Sequence, residues 1–470
     1  MIATVLRKEF LAVLRDGRVL TGAAALLALG IIALASGAAR YSALAGERAA
    51  AQALVAEQWT QQGEKNPHSA AHYGVYAFRP ALPLSFFDPG VVSFEGVAIW
   101  LEAHKRNFAT GRPADDMTPL ARFGELSLSF VFQALVPLAL ILMAYAAFSR
   151  ERETGTLRLL LATGVTPGQL FIGKFLGIFA AAVVLLAPIV LLALLALALA
   201  GGTVWLPAAL LLLAVYLLYG VVLLLFALVV SARASSSQMA LLILLAFWAT
   251  TTFVVPRLAA DLGRVLAPTP TRAAFMQGVE EGINGGLGGL PPAARIAARR
   301  DALLKIYKVE RQEDLPINFQ GVVFGIQDEI SNAAYDQEFA TLNAAIDSQV
   351  DILEAASILS PRAALALVSQ ELAGTSLAHQ RHFERAAEDF RRELMALLNR
   401  DITVNSKAGD TGYRAGADLW RTTGEFRYQP ESLHASLARS GAPLMVLVLW
   451  LLATVLAVAM TTRRLQVLSQ

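Results

Sequence analysis

The chain has 470 residues, of which 56% are hydrophobic and only 16% are charged, whereas a typical soluble protein carries about 25% charged residues. It contains no cysteine, which excludes disulfides, cysteine-bound zinc, iron–sulfur clusters and thiol nucleophiles. The net charge of +2 gives no sign of a nucleic-acid partner. This composition predicts an integral membrane protein.

Six stretches without any Asp, Glu, Lys or Arg are long enough to cross about 30 Å of hydrocarbon as helices. They are residues 19–39, 127–148, 175–200, 205–230, 239–256 and 443–461. Lipid cannot satisfy free backbone polar groups, so each stretch is predicted to be a transmembrane helix. The predicted fold is therefore mainly α, a polytopic membrane protein with six transmembrane helices.

The segment before the first span is predicted to be an amphipathic helix. Within residues 1–18, Val5, Leu6 and Phe10 share one face and basic side chains lie elsewhere, as in a helix along a membrane surface. The alternative is a signal peptide, because residues 35–39 (ASGAA) resemble a cleavage site. The apolar run is longer than the usual core of a signal peptide, which favours a retained helix.

The distribution of basic residues predicts which loops face the cytoplasm. The short segments beside the spans are 1–18, 149–174, 231–238 and 462–470. Together they carry 11 Lys or Arg and 4 Asp or Glu, whereas the rest of the chain carries 28 and 33. Because cytoplasmic loops are enriched in Lys and Arg, these segments and both termini are predicted to be cytoplasmic. The long loops 40–126 and 257–442 are then periplasmic.

The loop 149–174, between the second and third spans, is short and charged. Alternating charges at 150–153 (RERE) are followed by an apolar run and by a turn at 164–168 (GVTPG). This pattern predicts a short amphipathic helix, a Pro/Gly turn and re-entry into the bilayer. The charges either dock into another protein or anchor the two flanking spans.

The stretch 151–167 (ERETGTLRLLLATGVTP), followed by Gly173-Lys174, resembles the cytoplasmic loop of type-2 ABC exporter permeases. The resemblance implies that 149–174 is a coupling hairpin whose helix seats in a cleft of a separate ATPase subunit. The implied contact residues are Arg150, Glu151, Arg152, Glu153, Gly155, Thr156 and Leu157. It further implies that residues 1–18 form the elbow helix of these permeases. The loop 231–238 would make a lesser ATPase contact or only a turn.

Residues 168–174 (GQLFIGK) match the spacing of a phosphate-binding loop, but Phe175 replaces the Ser or Thr that would bind Mg²⁺. A membrane span follows instead of a soluble strand–helix unit. No cofactor is therefore expected in this chain, and ATP and Mg²⁺ belong to the partner ATPase. The sequence contains no G-x-S-x-G or H-E-x-x-H motif, so we do not expect the chain itself to be an enzyme.

Segments of the two long loops narrow the family resemblance to one subfamily. The segments that carry it are 66–78 (NPHSAAHYGVYAF), 82–91 (LPLSFFDPGV), 101–107 (LEAHKRN) and 360–383 (SPRAALALVSQELAGTSLAHQRHF). They resemble a subfamily of these permeases with a large periplasmic insertion of unknown function. The two loops are long enough to bury a core, and we expect them to pack as one mostly helical extracytoplasmic domain.

Within this domain the sequence predicts three helices and two other segments. Helices are expected at 328–359, from Ser360-Pro361 to Leu372 with Gly374 as the stop, and at 376–399. The glycine-rich segment 282–292 is expected to be a flexible loop. Scattered Gly, Thr and Tyr at 401–430 predict a small β-element.

All six histidines lie in predicted periplasmic segments. His68 and His72 are four residues apart, and His379 and His382 are three apart, so either pair can share a helical face and bind a metal. The alternative is packing and hydrogen bonding, because most of the chain outside the spans lies there in any case. The sequence thus offers two candidate pairs but no defined metal site.

No predicted span carries an ionisable residue, which argues against ion-coupled transport. Together with this observation, the resemblance implies the permease subunit of a type-2, exporter-like ABC transporter in the bacterial inner membrane. The implied partners are two ATPase copies, a second permease subunit as homodimer or heterodimer, and membrane lipid. An alternative is a mechanotransmission subunit that acts on a periplasmic partner without translocating a substrate. A third is a membrane scaffold without turnover.

Overall fold

The computed structural model describes residues 1–116, 126–410 and 412–467. Three predicted segments contain residues outside this range: 117–125 of the loop 40–126, 411 of the loop 257–442, and 468–470 of the tail 462–470. The described chain is mainly α-helical, which confirms the predicted fold class.

The helices and strands follow one another in this order. The first ten helices are α1 (Ile2–Arg15), α2 (Gly17–Thr60), α3 (Pro67–Tyr73), α4 (Leu128–Phe130), α5 (Val136–Ala144), α6 (Ser149–Glu153), α7 (Thr156–Ala162), α8 (Pro167–Leu199), α9 (Leu206–Arg233) and α10 (Ser237–Ala249). The others are α11 (Val255–Leu266), α12 (Arg272–Gly285), α13 (Pro292–Tyr307), α14 (Phe319–Ser357), α15 (Pro361–Ala373), α16 (Leu377–Asn405), α17 (Ala417–Thr422), α18 (Leu433–Arg439) and α19 (Gly441–Val467). Strands β1 (Val75–Phe78), β2 (Ala98–Glu102) and β3 (Lys105–Arg106) form an antiparallel sheet in the order β1-β2-β3.

Six helical segments within the described residues are long and apolar enough to cross a membrane. They are Gly17–Thr60, Leu128–Glu153, Pro167–Leu199, Gly202–Arg233, Ser237–Leu266 and Gly441–Leu465. Each overlaps one of the six apolar stretches recognised in the sequence. The length and composition of its helices thus define a multi-pass membrane protein.

Helix α2 is much longer than the predicted first span. Its 44 residues correspond to ~66 Å of helix, about twice the hydrocarbon thickness of a bilayer. Residues 40–60 are rich in Ala, Glu and Gln, which favour helix, and the next glycine with positive φ is Gly63. The first part of the predicted loop 40–126 is therefore a helical extension of the span.

Two of the spans contain a π-helical turn. Val131–Leu135 separates α4 from α5, and Thr250–Val254 separates α10 from α11. The two turns are close together, because Trp248 beside the second donates its indole N–H to the carbonyl of Ala134 in the first at 2.9 Å. A π-turn locally breaks the regular ladder of helix hydrogen bonds, and such turns are frequent at functional sites.

Glycine, threonine and proline shape the hairpin between the second and third spans. Gly155, at φ +75°, adopts the left-handed conformation that glycine tolerates best, and it separates α6 from α7. After α7, Thr166 caps α8 and forms a capping box with Gln169, while Pro167 takes the first helical position. The hairpin therefore consists of two short helices and a capped turn.

Helix α1 packs along the first turns of α8, where two glycines leave room for it. A Cβ at Gly173 would lie 2.6 Å from the Cβ of Val5, and a Cβ at Gly177 would lie 2.7 Å from the carbonyl oxygen of Leu6. Both distances are shorter than van der Waals contact. The helix predicted at the N-terminus is present. It approaches α8 closely because glycines at positions 173 and 177 place no side chain between the two helices.

The extramembrane domain contains residues of both long loops, as predicted. Its core joins the sheet to α16, with Leu101, Phe383 and Leu398 at most 1% exposed. Trp420 of α17 is fully buried in the same core and donates its indole N–H to the carbonyl of Gly63 at 2.7 Å. Segments more than 350 residues apart in the chain thus share one hydrophobic core.

The three predicted helices of this domain are present as α14, α15 and α16. Ser360 caps α15 by accepting a hydrogen bond from the amide of Ala363 at 3.1 Å, and Gly374 ends it in the left-handed conformation. Both roles were predicted from the sequence. Helix α14 begins earlier than predicted and α16 ends later, because element boundaries depend on tertiary packing more than on local pattern.

Two other predictions for this domain require correction. The described residues of 401–430 contain no strand, and their β-structure is limited to an isolated antiparallel bridge between Ala415 and Lys65. Helix α16 continues to Asn405, and Thr403 donates its hydroxyl to the Asn399 carbonyl at 2.7 Å instead of joining a sheet. The sheet lies between residues 75 and 106, in strands too short to show clear alternation. The segment 282–292 is only partly a loop, since α12 extends to Gly285.

Helix α15 lies between the spans α9 and α19. Ala364, Leu365 and Val368 are completely buried against residues of several spans. At its N-terminus, Ser360 donates its hydroxyl to the carbonyl of Thr251 at 2.6 Å, and Arg362 donates to the carbonyl of the next residue at 3.1 Å. Both carbonyls belong to the π-turn of the fifth span, so α15 fixes the extramembrane domain to that turn.

Gly177→Ala is expected to lower the melting temperature of the detergent-purified protein, because the new Cβ would push α1 away from α8. Overpacking of this kind costs about 1–3 kcal/mol. Gly168→Ala is the matched control, since no atom lies within 4 Å of a Cβ at that position. Equal melting temperatures for the two variants would show that α1 does not depend on this close approach.

Candidate functional site

The base of the hairpin contains a cluster of four alternating charges. Lys174 of α8 is 1% exposed, and its ammonium group lies 2.8 Å from Glu9 Oε1 and 2.9 Å from Glu151 Oε1. Lys8 contacts the same two carboxylate oxygens at 2.9 and 2.8 Å. Each carboxylate therefore lies between two ammonium groups, and the cluster joins α1, α6 and α8.

Burial makes this cluster energetically important. A buried charge that loses its partner costs several kcal/mol, whereas an exposed pair contributes little. Burial alone would raise the pKa of Glu9, but the charges and hydrogen bonds of Lys174 and Lys8 outweigh it and hold this pKa below its usual value. Glu9 therefore stays ionised at neutral pH and continues to balance the buried Lys174.

The rest of α6 is bonded to the loop between the fourth and fifth spans. Arg152 donates to the carbonyl of Ala234 at 2.6 Å and also to the carbonyl of Ala232. Glu153 accepts hydrogen bonds from the amide and the hydroxyl of Ser237 at 2.7 and 2.9 Å, at the N-terminus of α10, where negative charge is favourable. The hairpin is thus attached to α8, α9 and α10.

The residues implied by sequence resemblance divide into two groups. Glu151, Arg152 and Glu153 bond to other parts of this chain, and Leu157 is 6% exposed in the core of the membrane helices. Arg150, Gly155 and Thr156 lie on the exposed surface. The first group connects the hairpin to the spans, although Glu153 is also exposed, and the second lies on the outer surface.

Sequence reasoning missed two exposed residues of α7. Leu159 is 68% exposed, and Arg158 is exposed beside it. The missed signal is the helical period of α7, which places Leu157, Leu160 and Leu161 on the inner face and leaves 158 and 159 outside. We call a group of six exposed residues of this loop the hairpin face. It consists of Arg150, Thr154, Gly155, Thr156, Arg158 and Leu159.

The spacing that resembles a phosphate-binding loop does not form one. Residues 168–174 lie within the first turns of α8, and Lys174 is paired with two carboxylates. A phosphate-binding loop requires free backbone amides that surround the anion. In this helix the amides beyond the first turn are bonded to carbonyls, so residues 168–174 do not have the conformation of a phosphate-binding loop.

The two histidine pairs have different surroundings. His379 is 2% exposed, and both ring nitrogens have partners, Ser376 Oγ at 2.9 Å and Ser436 Oγ at 3.2 Å. His382 instead bonds through Nδ1 to the hydroxyl of Tyr428 at 3.0 Å. Burial lowers the pKa of His379 to about 4. These two histidines therefore act in packing and hydrogen bonding.

His68 and His72 do lie together, with their Nε2 atoms 3.1 Å apart. His104, which the sequence did not link to them, completes a group of three imidazoles. The sequence gave no clear sign that His104 joins the other two, because it lies more than 30 residues after His72, on a turn between two short strands.

The fold and the hairpin together define a multi-pass membrane protein that exposes a small surface with charged and apolar side chains at one end of its helices. Two family models match the chain: one described as ABC-2 family transporter protein at residues 116–276, and one described as Domain of unknown function (DUF3526) at residues 272–429. The first match covers about a third of the chain and supports the type-2 ABC permease family, and the second covers most of the loop 257–442. A search among curated proteins gave no match.

Lys174→Met is expected to destabilise the protein, because Glu9 and Glu151 would then share only the half-exposed Lys8. Removing one partner of a buried ion pair costs about 3–5 kcal/mol. Thermal unfolding in detergent measures the loss, and limited proteolysis shows whether α1 detaches. Arg158→Met removes an exposed cation of the same hairpin and is expected to stay within about 0.5 kcal/mol of the wild type. Equal stability of the two variants would contradict a structural role for the buried cluster.

Proposed function

We propose that this ABC permease couples ATP hydrolysis by a separate ATPase to movement of a substrate or of its own extramembrane domain, as type-2 exporters do. The observation that carries the proposal is the construction of the hairpin. Its outer surface is exposed, while its inner side chains are bonded to three spans. A surface of this kind can receive force from a partner and pass it to the membrane helices.

In the proposed cycle the ATPase contacts the hairpin face, and ATP and Mg²⁺ are bound by that ATPase. Leu159 supplies the apolar anchor of the contact, and Arg150 and Arg158 supply the charge. When the ATPase moves, Glu151 transmits the displacement to Lys174 of α8, and Glu153 transmits it to Ser237 of α10. Because Lys174 and Ser237 belong to α8 and α10, a displacement of the hairpin would move these two spans together with it.

At the other end of the spans the motion would reach the extramembrane domain through α15. This part of the proposal is supported by the bonds of Ser360 and Arg362 to the π-turn of the fifth span. It is also supported by a buried polar chain in which Gln133 of the other π-turn donates to Tyr216 at 2.8 Å, and the Tyr216 and Ser369 hydroxyls lie 3.0 Å apart. One π-turn is therefore bonded to α15 directly and the other through Tyr216 of α9.

We further propose that the chain works as a pair of permease subunits with two ATPases in the bacterial inner membrane. Large apolar side chains of α8 and α19, such as Leu191 and Leu456, remain 60% or more exposed in the single chain. They would face lipid or the second permease, identical or related. The basic short loops support a cytoplasmic hairpin, cytoplasmic termini and a periplasmic domain.

The double variant Arg158→Glu/Leu159→Asp is expected to reduce the amount of copurifying ABC ATPase at least about tenfold, because it reverses a charge and removes an apolar anchor at the contact. Gentle-detergent purification of the tagged chain from its native host, followed by mass spectrometry and an ATPase assay, measures this loss. The melting temperature should remain unchanged, since both side chains are exposed.

Val204→Asp is the matched control, because Val204 is 85% exposed on the turn at the opposite end of the spans. It should retain the ATPase. If no ATPase copurifies with the wild type, or if the double variant retains as much as the control, the proposed coupling surface is wrong.

A further inference from the structure

We propose that His68, His72 and His104 of the extramembrane domain bind one late first-row divalent metal ion, of the class that includes Zn²⁺ and Cu²⁺. Nothing in the permease function requires such a site, so the inference is independent of ATPase coupling. The three residues come from two elements, the helix α3 and the turn between β2 and β3. The fold brings them to one place on the surface of the domain.

The geometry of the three rings suits a single ion. One ligand atom from each histidine lies within 4.8 Å of the other two, and the Nε2 atoms of His68 and His72 are 3.1 Å apart. Two nitrogens bound at ~2.1 Å in a tetrahedral site lie roughly 3.4 Å apart. Rotation of side chains alone can therefore bring three imidazole nitrogens to one ion.

His104 is held in place by a carboxylate, as metal-binding histidines commonly are. Its backbone N–H donates to Asp328 Oδ1 at 3.2 Å, and its ring Nδ1 lies 2.7 Å from the same oxygen, although the ring is not turned for a straight hydrogen bond. Asn399 in turn donates to Asp328 Oδ2 at 2.7 Å. The carboxylate of Asp328 thus lies against the ring of His104 and holds it beside the rings of His68 and His72, whose centroids lie 5.5 and 5.4 Å away.

The backbone of His104 supports the same interpretation. It has a φ of +61°, in the left-handed region that most residues with a side chain avoid. The hydrogen bond from its N–H to Asp328 stabilises this conformation and fixes the direction of the ring. The left-handed backbone and the buried carboxylate of Asp328 together hold the imidazole of His104 in one position.

His68 and His72 meet beside the ring of His104 through their Nε2 atoms, which lie at hydrogen-bond distance from each other. His68 stacks on Phe324 with the ring centroids 3.5 Å apart, and its Nδ1 is buried without a hydrogen-bond partner among the described residues. His72 is exposed and borders a cleft of about 350 Å³, which provides an entry path.

The ligand set defines the class of ion. Three neutral imidazoles without thiolates favour Zn²⁺, Cu²⁺ or Ni²⁺ over the hard cations Mg²⁺ and Ca²⁺, which prefer oxygen ligands. Three protein ligands leave a fourth position for water or an exogenous group. Such a site can hold an ion for structure or for transfer to another ligand in the same compartment.

Titration of the full-length, EDTA-treated protein with Zn²⁺ tests the proposal, with a purification tag that contains no histidine. Isothermal titration in detergent is expected to give one Zn²⁺ per chain. His72→Ala should weaken binding at least about tenfold, and Asp328→Asn, which only loosens the position of His104, should weaken it by about 10- to 100-fold. His434→Ala, at an exposed histidine of α18, is the control and should bind as the wild type does.

A second measurement separates a defined site from loss of folding. Co²⁺ bound to the wild type should give the visible absorption of a nitrogen-ligated, four-coordinate ion, and this spectrum should be absent in His72→Ala at an unchanged melting temperature. Absence of stoichiometric Zn²⁺ in the wild type would overturn the proposal and leave the three rings as a packing cluster. Equal Zn²⁺ affinity of His72→Ala and His434→Ala would overturn it as well.

Discussion

The membrane part of the protein depends on one buried ammonium group. Lys174 lies inside the helix bundle, and its charge is balanced by Glu9 from α1 and Glu151 from α6. An unpaired charge there would cost several kcal/mol, so a stable fold requires the surface helix and the hairpin to meet at this lysine. Gly173 and Gly177 allow the same meeting, because they let α1 approach α8 closely enough for Glu9 to reach the ammonium group. The docking of α1 and the placement of the hairpin therefore depend on the same buried lysine.

At the opposite end of the bundle, hydrogen bonds to backbone carbonyls, instead of ion pairs, join the helices. The π-turns of the second and fifth spans contact each other through Trp248. Helix α15 of the extramembrane domain bonds directly to the π-turn of the fifth span and, through Tyr216 of α9, to that of the second. In the buried chain that includes Gln133 and Tyr216, Ser369 also donates to Asp88, whose pKa is raised by its complete burial. The extramembrane domain is consequently anchored between the spans by a buried helix. A packed path from hairpin to domain is necessary for transmission of force, but contact alone does not establish coupling.

The sequence predicted what depends on local pattern and missed what depends on distant partners. Runs without charge located the six spans, and Ser360 and Gly374 marked the ends of α15 because caps depend on neighbouring residues. The sequence assigned no partner to Lys174, because Glu9, which lies 165 residues away in the chain, gives no local signal. The inward direction of Glu151 was hidden for the same reason. Thr403 was assigned to a β-element by composition, although tertiary contacts extend α16 through it.

The measurement that tests force transmission most directly is the distance between the hairpin and α15 in two nucleotide states. The chain has no cysteine, so spin labels at Ala162 and Leu359, both exposed, need no removal of native thiols. Double electron–electron resonance on the complex with its ATPase would compare ADP with ATP plus vanadate. We expect the distance distribution to change between the two states in the wild type, and the change to disappear in Glu151→Gln, which keeps Lys174 paired with Glu9. Identical distributions in the wild type, or a change that persists in Glu151→Gln, would contradict transmission through the buried charge cluster.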